Sequence, residues 1–592
     1  MAVAAERGYD ARTQMRGADA DALARVEAAA ALFETVATRR HSNTLLKRAL
    51  KAWKVGDAPK TAQLALAATE ADDTNAQAFH LLAIALEKLG HLHKALVTYQ
   101  HAFQLEPDDS DMLLNLGLTA WTLGLLDGAE RMFRLFIEKK PERPEGYNNL
   151  GSVQRDKGDL ARALETLQGA IYRMPDEPML WNSLATVLAE EGRAEESLTF
   201  YAEALRLDPR LGRTWHNLGY ANSHLGRLDE ALAAYDRALA LAEHANDIIE
   251  AKHSRSVCLM GMGRIAEGFK GYEVRHDPQF RAHVLHMTKA ALWQGEPLAG
   301  KRILVVGEQG LGDEFMFANI LPDLARDVGE SGKLQIAVDP RLVALYQRSY
   351  PQADVGDYQD GKLEGRAVRI FPWALKDGHP DFYAPMGTPL HIYRQRLADF
   401  PRRAFLVADA ARVAAYREQL APFGPGPYVG VCWRSMTMGA KRKKYYSAIE
   451  AWAPILTTPG ATFVNLQYGD CGAELDLARE KFGAVVHAIP ELDLKNDIDG
   501  AAALSAACDF AISAPTAAAA LAGAVGTEVW FLVAGRVWPQ LGTDHYPWYR
   551  ASRVFAPGKF GDWDAVMPRV RAELAARISG ADSRTMPAAR AV

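Results

Sequence analysis

A carboxylate stands where a glycine-rich turn hands over to a helix. Residues 301–306 read as a short buried strand, 307–313 as the turn Gly-Glu-Gln-Gly-Leu-Gly-Asp, and 314 to about 328 as a helical run. Glycines let a backbone approach a ligand, and a helix N-terminus favours negative charge, which makes Gly310 and Gly312 candidate ligand contacts. Asp313, with Glu314 as the alternative, is placed to take a proton from an attacking hydroxyl. The plain structural alternative is a helix cap. The turn has neither the GxGxxG nor the Walker A spacing, which speaks against a nicotinamide or ATP site.

A second set of polar groups lies further along the chain. Arg434 and Ser435 follow the strand-like run 428–433, and ligands of open α/β sheets bind at such strand ends. Lys441, Arg442, Lys443 and Lys444 come next. Their cations suit phosphate and carboxylate groups, although a charge run is more often a solvated face. Ser513-Ala514-Pro515-Thr516 joins a strand to a helix start, where Ser513 and Thr516 hydroxyls and free N–H groups suit phosphate or ribose. Gln467 ends another strand and is either a ligand contact or a strand-end polar residue. Trp538, Trp548 and Tyr549 read better as aromatic core than as pocket lining, and His379, His391 and His545 are isolated. Asp497-Ile498-Asp499 spells DxD but is better placed as a cap for the helix from Gly500. No metal is expected.

These residues need a scaffold, and the chain supplies two kinds. In the first half glycines recur every 34 residues, at Gly56, Gly90, Gly124, Gly158, Gly192 and Gly226, and prolines do so at Pro107, Pro141, Pro175 and Pro209. Helical apolar patterns run between the marks. Small residues at Gly117, Gly151, Ala185 and Gly219 let paired helices approach. About six units start near residue 42, and a degenerate one carries Gly263 and Tyr272 out of register by three. A 34-residue helix-turn-helix period is that of the tetratricopeptide repeat (TPR), and such arrays stack into a superhelix with a concave groove. Asn115, Asn149, Ser183 and Asn217 hold one position on successive first helices. An amide both donates and accepts, so Asn115, Asn149 and Asn217 are candidate clamps for an extended peptide.

Beyond residue 277 the period stops, and strands at 334–338, 367–371, 428–433, 462–467, 510–513 and 528–533 alternate with helices, the last over 562–576. The linker Phe423-Gly424-Pro425-Gly426-Pro427 separates two Rossmann-like halves. The expected organisation is an N-terminal extension over 1–40, a TPR superhelix over 41–285, lobes over 290–405 and 406–578, and a disordered tail over 579–592.

Composition narrows the function. Lys+Arg is 68 against 73 Asp+Glu, a net charge of −5, which argues against a nucleic-acid binder. The 49% apolar content supports large cores. Cys258, Cys432, Cys471 and Cys508 are far apart, so neither disulfides nor a cysteine zinc site is expected, and a cytoplasmic location fits. No run is long enough for a membrane span, and no signal peptide is read.

GEQGLGDEFMFANILPDL (307–324), PMGTPLHIYR (385–394), VGVCWRS (429–435), VNLQY (464–468), DFAISAPTAAAALAGAVGTEVWFLV (509–533) and YPWY (546–549) occur in an order that resembles heptosyltransferase-like GT-B glycosyltransferases fused to TPRs. EGFKGYEVRH (267–276) is similar to the junction where their repeats end. Over residues about 42 to 578 the chain resembles the flagellin-modifying glycosyltransferases of alphaproteobacteria. The resemblance implies an α-solenoid followed by a GT-B domain, and transfer of a nonulosonic acid, pseudaminic acid from its CMP donor, to Ser/Thr of flagellin bound by the TPRs. It implies Asp313 as base, and Arg434 with Lys441 or Lys443 on the donor. The asparagine row is similar to the ladder of O-GlcNAc transferase TPRs. No cofactor is implied beyond the nucleotide-sugar. Where the heptosyltransferase pattern has Asp and His, this chain has Pro515 and Ala520, both away from an ADP-heptose donor. Another nucleotide-sugar and a non-catalytic flagellin-binding scaffold remain the alternatives.

Overall fold

A computed structural model of the protein describes residues 36–308, 310–363, 365–376, 378–436 and 438–580. The N-terminal extension and the C-terminal tail therefore fall almost wholly outside the described residues. The chain divides into two compact units, Met1–Val187 and Leu188–Val592, each of which is taken by itself.

The first unit is a stack of helix pairs, among them Leu92–Leu105, Ser110–Thr122, Leu126–Lys139, Pro144–Asp156 and Leu160–Arg173. The glycine between the helices of each pair has positive φ, from +76° at Gly124 to +83° at Gly158, a conformation that penalises any Cβ. The second helices bury Tyr99, Phe133 and Leu167, again 34 residues apart. Against each sits a small residue of the preceding helix. A Cβ on Gly151 would lie 2.7–3.0 Å from three Leu167 side-chain atoms.

The second unit opens with more such helices, ending in Ala245–Gly261 and Ile265–Tyr272. The degenerate pair keeps the turn, with Gly263 at φ +80°. Its first helix has 17 residues where those before it have 13, which absorbs the slip in register.

Two parallel sheets follow. The first has the order β2 (Ala291–Leu292), β8 (Phe382–Pro385), β3 (Arg302–Val306), β4 (Lys333–Val338), β5 (Asp354–Asp357). The second has the order β11 (Val486–His487), β10 (Thr462–Asn465), β9 (Tyr428–Cys432), β12 (Phe510–Ser513), β13 (Glu528–Leu532), β14 (Ser552–Phe555). Both are parallel throughout, and their central strands are continuous apolar runs because helices cover both faces. The run expected over 367–371 is a strand, but it belongs elsewhere. As β7 (Arg366–Ile370) it joins β1 (Leu285–His286) and β6 (Gln359–Leu363) in a separate three-stranded sheet. The helical run after the glycine-rich turn is broken into Leu311–Phe317, a 3-10 turn Ala318–Ile320 and Leu321–Val328, with Pro322 starting the last piece.

One apolar core spans both sheets: Ile303 and Val305, Phe315 and Phe317, Leu466, Leu521 and Phe531 belong to the same buried cluster. Trp548, fully buried, touches the rings of Phe269, Phe317 and Phe400. Among the described residues no helix is long and apolar enough to cross a membrane.

The repeat stack yields a paired test. Gly151→Val should overpack the Leu167 contact and cost about 1–3 kcal/mol. Gly169→Ala, on an exposed helix surface with no atom within 4 Å of the new Cβ, should instead stabilise by roughly 0.5–1 kcal/mol through helix propensity. Urea titration of both variants reads the opposite signs.

Candidate functional site

Strand β3 delivers Gly307 and Glu308 to its C-terminal end, and Gly310 caps the helix Leu311–Phe317. Asp313 and Glu314 share the first turn of that helix but do different things. Glu314 is fully buried in the first lobe, where its carboxyl oxygens accept from the Tyr358 hydroxyl at 2.6 Å and from the Asp339 N–H at 3.3 Å. A Cβ on Gly307 would meet that carboxylate at 2.5–2.6 Å, so a glycine is required above it. Burial pushes the Glu314 carboxyl up to about 8. The group thus closes the loops that follow β4 and β5.

Asp313 is half-buried and its carboxyl is pushed up to about 7, first by burial and then by the negative charge of Glu308, with Arg275 opposing. Gly312 faces the start of the helix Ala517–Ala524, its Cβ position 3.8 Å from Ala517 Cα. The glycine-rich turn of one lobe therefore abuts the helix N-terminus of the other. Beside this contact opens a hollow of about 690 Å³ lined by Leu311, Phe315, Leu466, Tyr468, Ala517 and Leu521. Its wall is apolar, with Arg341 and Lys495 among the lining side chains. Arg341 is held by Asp339 at 2.9 Å.

The polar groups expected from the second lobe do gather at its strand ends, and most are occupied there. Gln467 is buried, and its carbonyl accepts from the backbone N–H of Trp433 at 3.1 Å and of Arg434 at 3.0 Å. Thr516 caps the helix Ala517–Ala524 by accepting from the Ala519 N–H at 3.4 Å. The Ser513 hydroxyl donates to the Ala514 carbonyl at 2.7 Å. Cys432 Sγ lies 3.4 Å from both Gln467 and Thr516, so one thiol sits at the centre of the set. Ser435 is buried beside them.

Arg434 is not free. Glu474 engages its Nε at 2.7 Å and its Nη2, and Nη2 also donates to the Asp470 carbonyl at 2.9 Å. Lys443 is exposed on the short helix Ala440–Lys443, and the side chain of Lys441 lies outside the described residues. Asp497 does cap the helix Ile498–Ala507, accepting from the Gly500 N–H at 2.8 Å, and it pairs with Arg412. Trp548 and Tyr549 are buried in the core, while Trp538 is half-buried. In the repeats, Asn115 is 2.9 Å from His80, Asn149 accepts from Asn148 at 3.5 Å, and Asn217 is half-buried on the helix Gly212–His224.

Sequence reasoning missed the groups behind the turn. Arg275 and His276 end the junction after the last repeat helix and reach the loop after β8. Arg275 Nη2 donates to Thr388 at 3.1 Å and to Glu308 at 3.3 Å, and His276 Nε2 lies 2.7 Å from the same hydroxyl. Burial works against the Arg275 charge, but Glu308 and Glu273 hold it ionised. The Arg-His pair at 275–276 was in plain sight, but it reads as a boundary mark until the fold brings it to β3.

Models of the tetratricopeptide repeat family match residues 80–144, 144–177 and 176–244. Protein FlbA of Caulobacter vibrioides is 38% identical over 558 residues, which cover 94% of this chain and 93% of that protein. Solved TPR structures are similar over about a third of the chain. YrrB, described as a TPR protein with an unusual peptide-binding site, is 21% identical over 33% of this chain and all of its own, with a TM-score of 0.24. A thermophilic TPR protein of Thermus thermophilus is 27% identical over 30% of this chain and 98% of its own, with a TM-score of 0.28.

The buried carboxyls make stability depend on pH with a definite sign. Folded Glu314 keeps a proton that the unfolded chain, near 4.5, releases. Stability should therefore fall as pH rises from about 5 to 8. Glu314→Gln, neutral throughout, should flatten most of that slope and leave the part owed to Asp313. Thermal melts across the range measure it, and an unchanged slope would remove the carboxyl from the account.

Proposed function

The chain belongs to the family of Protein FlbA, and from that footing we propose that it is a protein O-glycosyltransferase of GT-B type. Its TPRs bind flagellin, and its α/β region transfers a nonulosonic acid, pseudaminic acid from CMP-pseudaminic acid, to flagellin Ser/Thr. The carrying observation is Asp313. It sits in the first turn of a helix at a strand's C-terminal end, with a carboxyl raised to about 7, and Leu311 and Phe315 of the same helix line a hollow against the second lobe.

In this reading the acceptor hydroxyl gives its proton to Asp313 as its oxygen attacks the anomeric carbon. The bond to the nucleotide phosphate breaks, and CMP leaves with that electron pair. The N-terminus of the helix Ala517–Ala524, Lys443 and Lys441 offset the charge on the leaving group. No metal is assigned to the step. Asn115, Asn149 and Asn217 hold the acceptor chain in the repeats. The domain limits are those of the sequence reading, with the junction near residue 285.

One observation favours a second reading, a flagellin-binding scaffold without catalysis. Arg434 is committed to Glu474, and Gln467, Ser513 and Thr516 are committed to the protein's own backbone. Pro515 and Ala520 remove two further polar positions.

Intact mass of flagellin from cells carrying wild-type protein or Asp313→Asn separates them. The transferase reading expects wild-type flagellin heavier by whole nonulosonic-acid units, and transfer slowed by about 10²–10⁴-fold in the variant. The wild-type rate should rise with pH through about 7, as the base loses its proton. Equal flagellin masses from a folded, flagellin-binding variant would favour the scaffold. Thermal shifts with CMP-, UDP- and ADP-sugars name the donor.

A further inference from the structure

A hollow of about 1020 Å³, open at its mouth, lies where the last two repeat pairs meet the loops at the C-terminal ends of β13 and β14. The first helices of those pairs supply Tyr220 and His224 from Gly212–His224, and His253 and Val257 from Ala245–Gly261. Arg536 and Trp538 face them from the loop after β13. That loop is seated directly on the repeats. The Cβ position of Gly535 is 3.5 Å from the His224 carbonyl oxygen, and that of Gly263 is 3.1 Å from the Leu541 carbonyl oxygen. His224, Tyr445 and Phe560 pack against one another beside it, with ring centroids 5.6–5.8 Å apart.

Three polar side chains of this wall are spare. Arg536 is exposed and makes no hydrogen bond or ion pair among the described residues. The half-buried Trp538 finds no acceptor for its indole N–H among them. His253 lies between the rings of Tyr272 and Phe280, with centroids 5.5 and 5.0 Å away, and no hydrogen bond from a described residue reaches either nitrogen. Burial and the Arg275 charge pull His253 down to about 4, so its neutral ring offers one donor and one acceptor. Other polar groups are occupied, Ser254 by His216 at 2.9 Å and Tyr220 by Tyr445. The rest of the wall is apolar, with Leu228, Val257 and Val537. An extended polypeptide answers this combination. Its backbone carries carbonyls and N–H groups that need partners at each residue, and its side chains alternate between two faces. Arg536 is the one Arg or Lys in the lining, so it matches a single carboxylate and leaves a nucleotide's phosphates with little to neutralise them. Position agrees with the chemistry. Tyr220 and His224 stand three and seven residues beyond Asn217 on one helix, so the hollow continues the face that carries this asparagine.

We infer that this hollow holds an extended segment of the acceptor polypeptide where it passes from the repeats to the second α/β lobe, with an apolar side chain against Leu228 and Val257 and an acidic one against Arg536. The inference rests on the flagellin-binding reading and deepens it. Partner recognition is a composite surface, to which the loop after β13 contributes as much as the repeat helices do. It also sets a selection rule, since a segment without an acidic residue beside an apolar one leaves Arg536 unanswered whatever hydroxyls it carries.

Binding of unglycosylated flagellin monomer, of overlapping flagellin peptides and of CMP to the full-length chain tests it. Arg536→Glu, at an exposed side chain with no partner to lose, should weaken flagellin at least about fivefold and lessen the salt dependence of association. Val257→Phe, which sets a ring in the hollow, should weaken flagellin by at least about fivefold while melting as wild type does. Arg237→Glu, exposed on the neighbouring helix Leu228–Leu241, is the control and should bind flagellin as wild type does. All three should bind CMP equally. Peptides that bind should carry Asp or Glu beside an apolar residue and lose affinity when the acid is replaced by its amide. Flagellin binding unchanged in Arg536→Glu, or weakened as much by Arg237→Glu, would overturn the inference and leave the flagellin reading standing. Loss of CMP rather than flagellin in Arg536→Glu would make the hollow a donor site and overturn it as well. If flagellin does not bind the wild-type chain, the flagellin reading falls and the role of the hollow falls with it.

Discussion

The contact on which the α/β region most depends is the buried bridge from Arg275 to Glu308. It links the end of the last repeat pair to the turn after β3, and Thr388 and Gly387 close it from the loop after β8. Gly387 has no room for a side chain, since a Cβ there would lie 2.9 Å from both the guanidinium and the carboxylate. A buried ion pair adds little net stability against an apolar substitute, but removing one partner strands the other at a cost of about 3–5 kcal/mol. Such a contact specifies rather than stabilises. It fixes where the repeat array ends, how the glycine-rich turn leaves the sheet, and what electrostatic field the neighbouring Asp313 feels.

The same logic separates the two carboxyls of the first turn. Residues adjacent on a helix point roughly 100° apart. Glu314 enters the lobe and meets the donors of Tyr358 and Asp339, while Asp313 keeps a partly open edge. Both are raised by burial, but only Asp313 is partly exposed. On the other lobe the corresponding side chains have been drawn into holding the strand ends together, with Gln467 pinning the turn at Trp433 and Arg434. What that lobe still offers a ligand is backbone at a helix start, an apolar wall, and lysines.

The repeats were legible in the sequence because their constraints are local and periodic. A positive-φ glycine, a stopping proline and a buried aromatic or leucine recur at fixed spacing, and even the slipped unit keeps its turn at Gly263. The strands at the centres of the parallel sheets were legible for a similar reason, since they are unbroken apolar runs. Edge strands were not. Asp354–Asp357 is polar and short, and Ala291–Leu292 is two residues; the run at 366–370 was legible as a strand, but not its place in a separate sheet. Of the candidate site, Asp313 and the strand-end set could be put forward from their place in the strand–turn–helix pattern and from family resemblance. Arg275 and Glu308 could not, because they come from segments that only tertiary packing brings together. The occupation of Arg434 by Glu474 joins residues 40 apart and has no signature at either.

The basic loop after β9 does not stand alone. The Tyr445 hydroxyl lies 2.5 Å from His224 Nε2 and 3.3 Å from the Tyr220 hydroxyl, and Lys444 reaches the Ala189 carbonyl at 3.5 Å. These partners are repeat residues, so the last repeats carry part of the second α/β lobe's own foundation. In evolutionary terms the two halves are no longer interchangeable cassettes. A recombination that grafted a foreign repeat array onto this α/β region would have to bring a matching tyrosine–histidine footing with it, and lineages should inherit the two as one piece.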